Sequence, residues 1–363
     1  MPPSTPRSAS PAPVLLKLAI IALVLLIFAS AFGYAGGWLG SRGLTGSAMV
    51  DALQANADPH PGFRRNHAKG ICVSGYFEGN GDGARLSSAE FFTATRAQVV
   101  GRLALAGGDP YVADDSVPVR SLALQLRLPD GQEWRTGMND IPGFPVSTPQ
   151  AFQELTEASH PDPQTGKPRP DAMKAFQARY PEAAAFGERL KASPRSSSFA
   201  NDTYNGINAF VFVAADHRRH RVRWSMEPEL PFAPRTAAAA EPAARDALFD
   251  DLLTRLDQGP LHWHLIVTVA AAGDASDRAA EPWPADRERI DVGRLTLTGA
   301  SSEPQGSCRD IVYDPLVLPS GIEASDDPLL SARSSAYAVS YRRRAGEPPG
   351  DSAINDRKAG SAP

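Results

Sequence analysis

Several stretches of this 363-residue chain alternate apolar and polar residues with a period of two: Ile71 to Phe77, Leu122 to Leu128, Ile207 to Ala214, Val222 to Met226, His262 to Val269 and Ile290 to Thr298. Successive side chains of a strand point to opposite faces, so each stretch predicts a strand with one buried face. Turn chemistry separates them, as at Pro129-Asp130-Gly131 and along Glu78 to Gly83. Strands joined by short turns favour an antiparallel sheet, and their number favours its closure into a barrel. Helical patterns interrupt the series. Thr148 is placed to cap a helix that has Pro149 at its first position, Ala243 to Leu256 repeats leucines on one face, and Asp171 to Leu190 is a third candidate. Asp326 to Arg344 should be the last helix, with Pro328 tolerated in its first turn and a basic end that suits the helix dipole. The fold class read from these elements is α+β: an antiparallel β-barrel with surrounding helices.

Hydrophobic residues make up 42% of the chain, enough for a substantial core, so disorder throughout is excluded. The net charge of -4 arises from interspersed acids and bases without a basic stripe, which sets nucleic acid aside as a partner. One large domain over residues 48–346 is expected, with loop-like insertions at 161–170 and 231–242. Residues 1–13, rich in Pro and Ser, read as a disordered leader, and 347–363 as a polar tail that does not pack.

Leu18 to Ser41 contains no charged residue and predicts a membrane anchor over residues 14–41. Arg7 and Lys17 precede it without an acid between them, which orients the N-terminus to the cytoplasm and the domain to the periplasmic, extracytoplasmic side of the cytoplasmic membrane. Ala29-Ser30-Ala31 resembles a signal-peptidase site, but the apolar run continues to Leu39, which favours a retained single-pass helix. Cys72 and Cys308 are the two cysteines. In an exported domain they either form one disulfide or sit as small buried hydrophobes on separate strands, and the sequence leaves both readings open.

The chemistry-bearing residues lie at the two ends of the domain. On a helix Arg333 and Tyr337 share a face, so a guanidinium can stabilise negative charge on the phenol oxygen, an arrangement suited to a ferric ligand. His67 precedes the first strand, and an imidazole there can take a proton from a peroxide and return it to the departing oxygen. Asn139 offers an amide that polarises a bound peroxide without competing for its proton. His262-Trp263-His264 could present two imidazoles to a metal, but no third ligand has suitable spacing, and a strand with Trp263 inward accounts for it better. His217 to Arg221 reads as a solvated hairpin tip.

Taken together, His67-Ala68-Lys69-Gly70 with Gly75-Tyr76-Phe77, and Tyr313-Asp314-Pro315 through Gly321-Ile322-Glu323 to Arg333 and Tyr337, resemble the distal and proximal segments of the haem catalase superfamily. The likeness is strongest to its small catalase-related peroxidases, which often carry an N-terminal anchor. Phe144 to Phe152, Asn201 to Phe210 and Trp283-Pro284 followed by Gly293-Arg294-Leu295 are similar to family landmarks in the same order. The resemblance implies a catalase-like barrel, haem b as cofactor, His67 and Asn139 as catalytic residues, and Tyr337 as axial iron ligand. It further implies that Arg64, Arg102, Phe152, Arg333 and Arg344 contact the cofactor. By this pairing Ala104 occupies the place where larger catalases keep a serine beside the distal histidine, and Asn66 replaces a valine. The chain also stops soon after the proximal helix, without the extra helical domain of large catalases. The expected activity is therefore peroxidatic: reduction of hydrogen peroxide or organic hydroperoxides by a small organic donor, in a monomer or homodimer. The alternative is a non-catalytic, membrane-tethered barrel that binds haem or another apolar ligand.

Overall fold

The computed structural model describes residues 12–35, 44–93, 96–141, 143–235, 245–304 and 306–354, in two compact units, Met1–Thr45 and Gly46–Pro363. The first unit contains helix α1 (Ala12–Ala35), whose described side chains, residues 16–30, are exposed. Over the described residues no helix is long and apolar enough to cross a membrane. Of the leader expected over residues 1–13, residues 1–11 lie outside the described residues, as do the expected anchor's residues 36–41, while Ala12 and Pro13 belong to α1 instead of a disordered segment.

The second unit is built on ten strands: β1 (Gly70–Gly79), β2 (Arg96–Leu105), β3 (Arg120–Arg127), β4 (Glu133–Asn139), β5 (Tyr204–Gly206), β6 (Phe210–Val213), β7 (Arg219–Pro228), β8 (Leu261–Val269), β9 (Arg289–Ser301) and β10 (Ile322–Ala324). They form one antiparallel sheet in the order β10-β6-β7-β5-β4-β3-β2-β1-β9-β8. An additional β7–β8 pairing, with Val222 opposite Val269 and Met226 opposite Leu265, brings the β8 end of the sheet back onto β7. The circuit from β7 through β5, β4, β3, β2, β1, β9 and β8 back to β7 is an eight-stranded barrel, and β6 and β10 extend from it. Closure removes the unpaired edges that an open sheet would expose.

The barrel interior is aromatic. Trp134 of β4 meets Trp224 of β7 edge to face at 5.2 Å, and Phe92 packs on both Trp134 and Phe212. Each such side chain contributes roughly 1.5–3 kcal/mol on leaving water. The indole N–H of Trp224 donates to Thr136 Oγ1 at 3.1 Å and that of Trp263 to the Asp202 carbonyl at 3.2 Å, so these rings are buried without losing a hydrogen bond. Gly75 sits at an irregularity between β1 and β9, where a Cβ would lie 1.9 Å from the Thr296 carbonyl oxygen. Only glycine permits this approach of the strands.

Helices α2 (Gly46–Gln54), α3 (Pro149–Ala158), α4 (Pro170–Arg179), α5 (Pro181–Ala192), α6 (Ala247–Gln258) and α7 (Pro328–Ala345) accompany the barrel. Thr148 caps α3 by accepting from the Ala151 N–H at 3.2 Å, and Asp327 caps α7 by accepting from that of Leu329 at 2.9 Å. The single helix expected from Asp171 to Leu190 is two, because Pro181 lacks an N–H and crowds the preceding turn; it opens α5 instead. The expected tail also begins too early. Glu347 pairs with Arg65, and Ala353 and Ile354 are buried, so packing continues to Ile354. Cys72 and Cys308 form a disulfide that ties β1 to the loop after β9. Trp263 is buried while His264 lies between Asp291 and Glu229, and among the described residues no group of three or more His, Cys, Asp or Glu is placed to hold a metal ion.

Candidate active site

A cavity of about 350 Å³ lies within the second unit. His67, Asn139, Arg64, Arg102, Phe152, Arg333, Tyr337 and Arg344 all line it. The sequence spreads these residues over 281 positions, and the fold gathers them onto one wall of helix, one of strand ends, and an arginine cluster.

The helix wall follows from the α-helical period. Leu329, Arg333, Ala336, Tyr337, Ser340 and Arg344 recur three or four residues apart along α7 and so face the cavity together. Arg333 donates to the Tyr337 hydroxyl oxygen at 3.1 Å and also binds Asn208 Oδ1. Asn208, buried, donates in turn to Asp327 Oδ2 at 2.7 Å. Asp327 therefore caps the helix with one oxygen and fixes Asn208 with the other, which aims Arg333 at the phenol.

The strand wall follows from register. Across β2, β3 and β4 the partners are Ala104 with Ser121 and Ser121 with Asn139, so these residues lie in one cross-strand row at the barrel end. Ser121 Oγ is 3.1 Å from His67 Nδ1. The hydroxyl beside the histidine is thus present after all. It comes from β3, one strand over from Ala104, which corrects the expectation that Ala104 leaves the histidine without one. His67 has φ 56°, in the left-handed region that a side chain rarely adopts. Asn66 holds it there: Asn66 Oδ1 accepts from the backbone N–H of His67 at 3.0 Å and of Gly107 at 2.9 Å. Burial, reinforced by the cations of Arg102, Arg333 and Arg64, lowers the His67 pKa to about 3, so the ring is neutral at neutral pH and free to accept a proton. Asp140 behaves oppositely. Burial and the nearby Asp202 carboxylate raise it to about 7, although it accepts from the Arg120 backbone N–H.

The arginine cluster comprises Arg64, Arg102 and Arg344. Arg64 donates to the carbonyls of Cys308, Arg309 and Ile311, and Arg344 to that of Arg309 at 2.7 Å. Glu303 binds Arg102 at 2.6 Å and Arg64 at 3.4 Å. Burial lowers Arg344 to about 10, with the neighbouring Arg64 adding to the effect. Burial alone would raise the Glu303 carboxyl, but the Arg102 and Arg64 cations outweigh it and hold it below the usual range. Sequence reading missed Ser121, Asn208 and Glu303, since each acts through a partner far away in the chain. Phe152, from α3, lines the cavity beside Phe144, with ring centroids 5.3 Å apart.

A barrel of this topology with a histidine at a strand end and an arginine-backed tyrosine on a late helix defines a class, and comparison with known proteins gives the same class. The catalase family model matches residues 41–359, and the chain belongs to the catalase family. It is 36% identical over 329 residues to a catalase-related peroxidase of Synechococcus elongatus, covering 91% of this chain and 96% of that protein. To a catalase-related peroxidase of Mycolicibacterium paratuberculosis it is 29% identical, covering 84% and 96%. Two solved catalases share the fold with a TM-score of 0.70: a fungal enzyme at 19% identity, and catalase A of Saccharomyces cerevisiae at 20%. The alignments cover 82% of this chain but 62% and 64% of those chains, so it spans somewhat less than two thirds of their length. The likeness to the two smaller relatives, over nearly their whole length, makes this chain a peroxidase of the catalase superfamily.

Proposed function

We propose that the chain holds haem b through Tyr337 and reduces hydrogen peroxide or organic hydroperoxides at the expense of an organic electron donor. The carrying observation is that a neutral His67, set by Ser121 and Asn66, lines the same cavity as an arginine-backed Tyr337. The residues fit an iron porphyrin. Met49, Ile141, Phe144 and Ile207 give the cavity apolar walls, three guanidiniums suit two propionates, and the buried Arg102 Nε and Tyr313 hydroxyl have no partner among the described atoms. Both cysteines are bonded to each other, which supports a haem held without covalent thioether links.

Bound haem supplies the redox centre at which the peroxide O–O bond breaks. His67 would take the hydroperoxide proton and return it to the departing oxygen, so that the leaving group would be water or an alcohol. Asn139 would donate from its amide to the peroxide, and Arg333, which donates to the Tyr337 oxygen, would orient that oxygen as the iron donor. Haem titration of the purified protein with peroxide-dependent oxidation of a dye tests this. Wild type should bind ferric haem and oxidise the dye, and Tyr337→Phe should change the optical spectrum. An unchanged spectrum removes Tyr337 from the iron; haem binding without any dye oxidation leaves a non-catalytic haem-binding barrel.

We further infer that the N-terminal segment tethers the domain on the extracytoplasmic side of the cytoplasmic membrane. The support is in the sequence: Leu18 to Ser41 carries no charged residue, and Arg7 and Lys17 precede it. The Cys72–Cys308 disulfide suits an oxidising compartment. Membrane fractionation with intact-mass measurement checks this, and a mature protein that begins after Ala31 would refute a retained anchor.

A further inference from the structure

Glu303 is the one carboxylate bonded to the arginine cluster among the described residues, and the proposed chemistry does not use it. Its two oxygens are divided between two cations, Oε2 to Arg102 and Oε1 to Arg64. The Arg102 guanidinium is only 3% exposed and lies against β1 so closely that a Cβ on Gly70 would sit 2.4 Å from its central carbon. That guanidinium cannot swing to solvent, and without a counter-ion it would be a buried charge beside two others. The loop that carries Glu303 is itself pinned. The disulfide to Cys72 fixes Cys308, and the carbonyls of Cys308, Arg309 and Ile311 hold Arg64. Three guanidinium cations against one bonded carboxylate, with Asp310 acting on Arg344 from nearby, leave the cluster with an excess of positive charge, the sign that a porphyrin's propionates complement.

From this we infer that Glu303 is a resident stand-in for a ligand carboxylate: it keeps the arginine cluster folded and oriented in the ligand-free protein and weakens the hold on an arriving dicarboxylate porphyrin. The inference rests on the haem reading above. It makes retention of the cofactor a compromise between a stable empty pocket and a tight full one.

The test uses the full-length protein and metal-free protoporphyrin IX, followed by fluorescence titration, with the uncharged dimethyl ester as comparator. Glu303→Gln removes the charge and keeps the shape. The variant should unfold at a lower temperature without porphyrin. It should bind protoporphyrin IX at least about tenfold more tightly than wild type, because a like charge beside the propionates is gone, with affinity for the ester unchanged. Weaker or unchanged binding of protoporphyrin IX overturns the inference, as does equal tightening for the ester. Should Glu303→Gln not fold, Glu303→Asp, which keeps the charge but draws it back from both cations, should tighten binding in the same direction by about twofold or more; weaker or unchanged binding by that variant also overturns it. If wild type binds neither these porphyrins nor ferric haem, the haem reading itself falls; if wild type binds ferric haem and the substitution does not tighten protoporphyrin IX, only the stand-in falls.

Discussion

Arg333 and Tyr337 come from one turn of one helix, whereas His67, Ser121 and Asn139 come from a loop and two strands that meet only when the barrel has formed. The helix wall is specified locally: four residues of sequence separation are one turn, and the pair is in contact whenever α7 exists. The strand wall is specified by register. A slip of one residue between β2 and β3 would turn Ser121 to the opposite face and leave His67 without its hydroxyl. A local constellation tolerates change elsewhere in the chain, while a register-built one is as precise as the least secure strand pairing beneath it.

Substitution of the two lead residues separates the walls most sharply. His67→Ala should retain haem binding yet slow peroxide-dependent dye oxidation by roughly 10²–10⁴-fold, the usual contribution of a positioned acid–base group. Tyr337→Phe should instead act on the cofactor, with weaker haem retention and an altered spectrum. Equal losses of haem in the two variants would show that the walls are not functionally distinct.

Asn208→Ala probes the support behind the helix wall. It strips Arg333 of one partner and leaves an oxygen of buried Asp327 unpaired, which should cost about 1–3 kcal/mol in a denaturant titration. An effect below about 0.5 kcal/mol would mean that the Asp327–Asn208–Arg333 chain does not hold α7 in place. Ser121→Ala probes the strand wall and should be milder, about 0.5–1.5 kcal/mol, with a fall in turnover of about tenfold or less. Because Ala104 stands directly opposite Ser121, the double variant Ala104→Ser/Ser121→Ala asks whether the hydroxyl can be supplied from the neighbouring strand. Restored turnover would show that the row, and not the individual strand, defines the wall.

The same contrast explains what the sequence disclosed. β1, β3, β7, β8 and β9 alternate plainly and were legible, and α7 was legible with its cap. β2 was hidden because Gly101 to Leu105 is buried on both faces and shows no alternation. In β4 the inward positions include Thr136, and Gly137 interrupts the outward set, so its alternating burial has no apolar counterpart in sequence. β5 and β10, at three residues each, are too short to carry a period. Arg333 and Tyr337 could be paired by spacing alone. Ser121 could not, because its importance exists only through a cross-strand neighbour and a histidine 54 positions earlier. Glu303 carried no local signal at all, being a lone acid in a loop whose partners lie some 200 residues or more away.

The finest discrimination concerns proton linkage within the strand wall, where His67 and Asp140 work against each other. His67 titrates near 6.5 when unfolded and near 3 when folded, so between those values the unfolded chain binds a proton that the native state refuses. Its contribution to stability is present above pH 6.5 and is lost as pH falls towards 3. Asp140 titrates near 3.8 when unfolded and about 7 when folded, so in much of the same window the native state is the one that binds the proton. Its contribution is lost as pH rises from about 4 to about 7. The opposed slopes flatten the wild-type profile in the haem-free protein, and each single substitution should unmask the other. His67→Gln should become less stable as pH is raised from 4 to 7, and Asp140→Asn should become more stable over the same range. Urea midpoints at unit pH steps read both slopes. Parallel profiles for wild type and both variants would mean that neither group is held in the protonation state that the strand wall imposes, and that His67 does not owe its neutral ring to burial among the arginines.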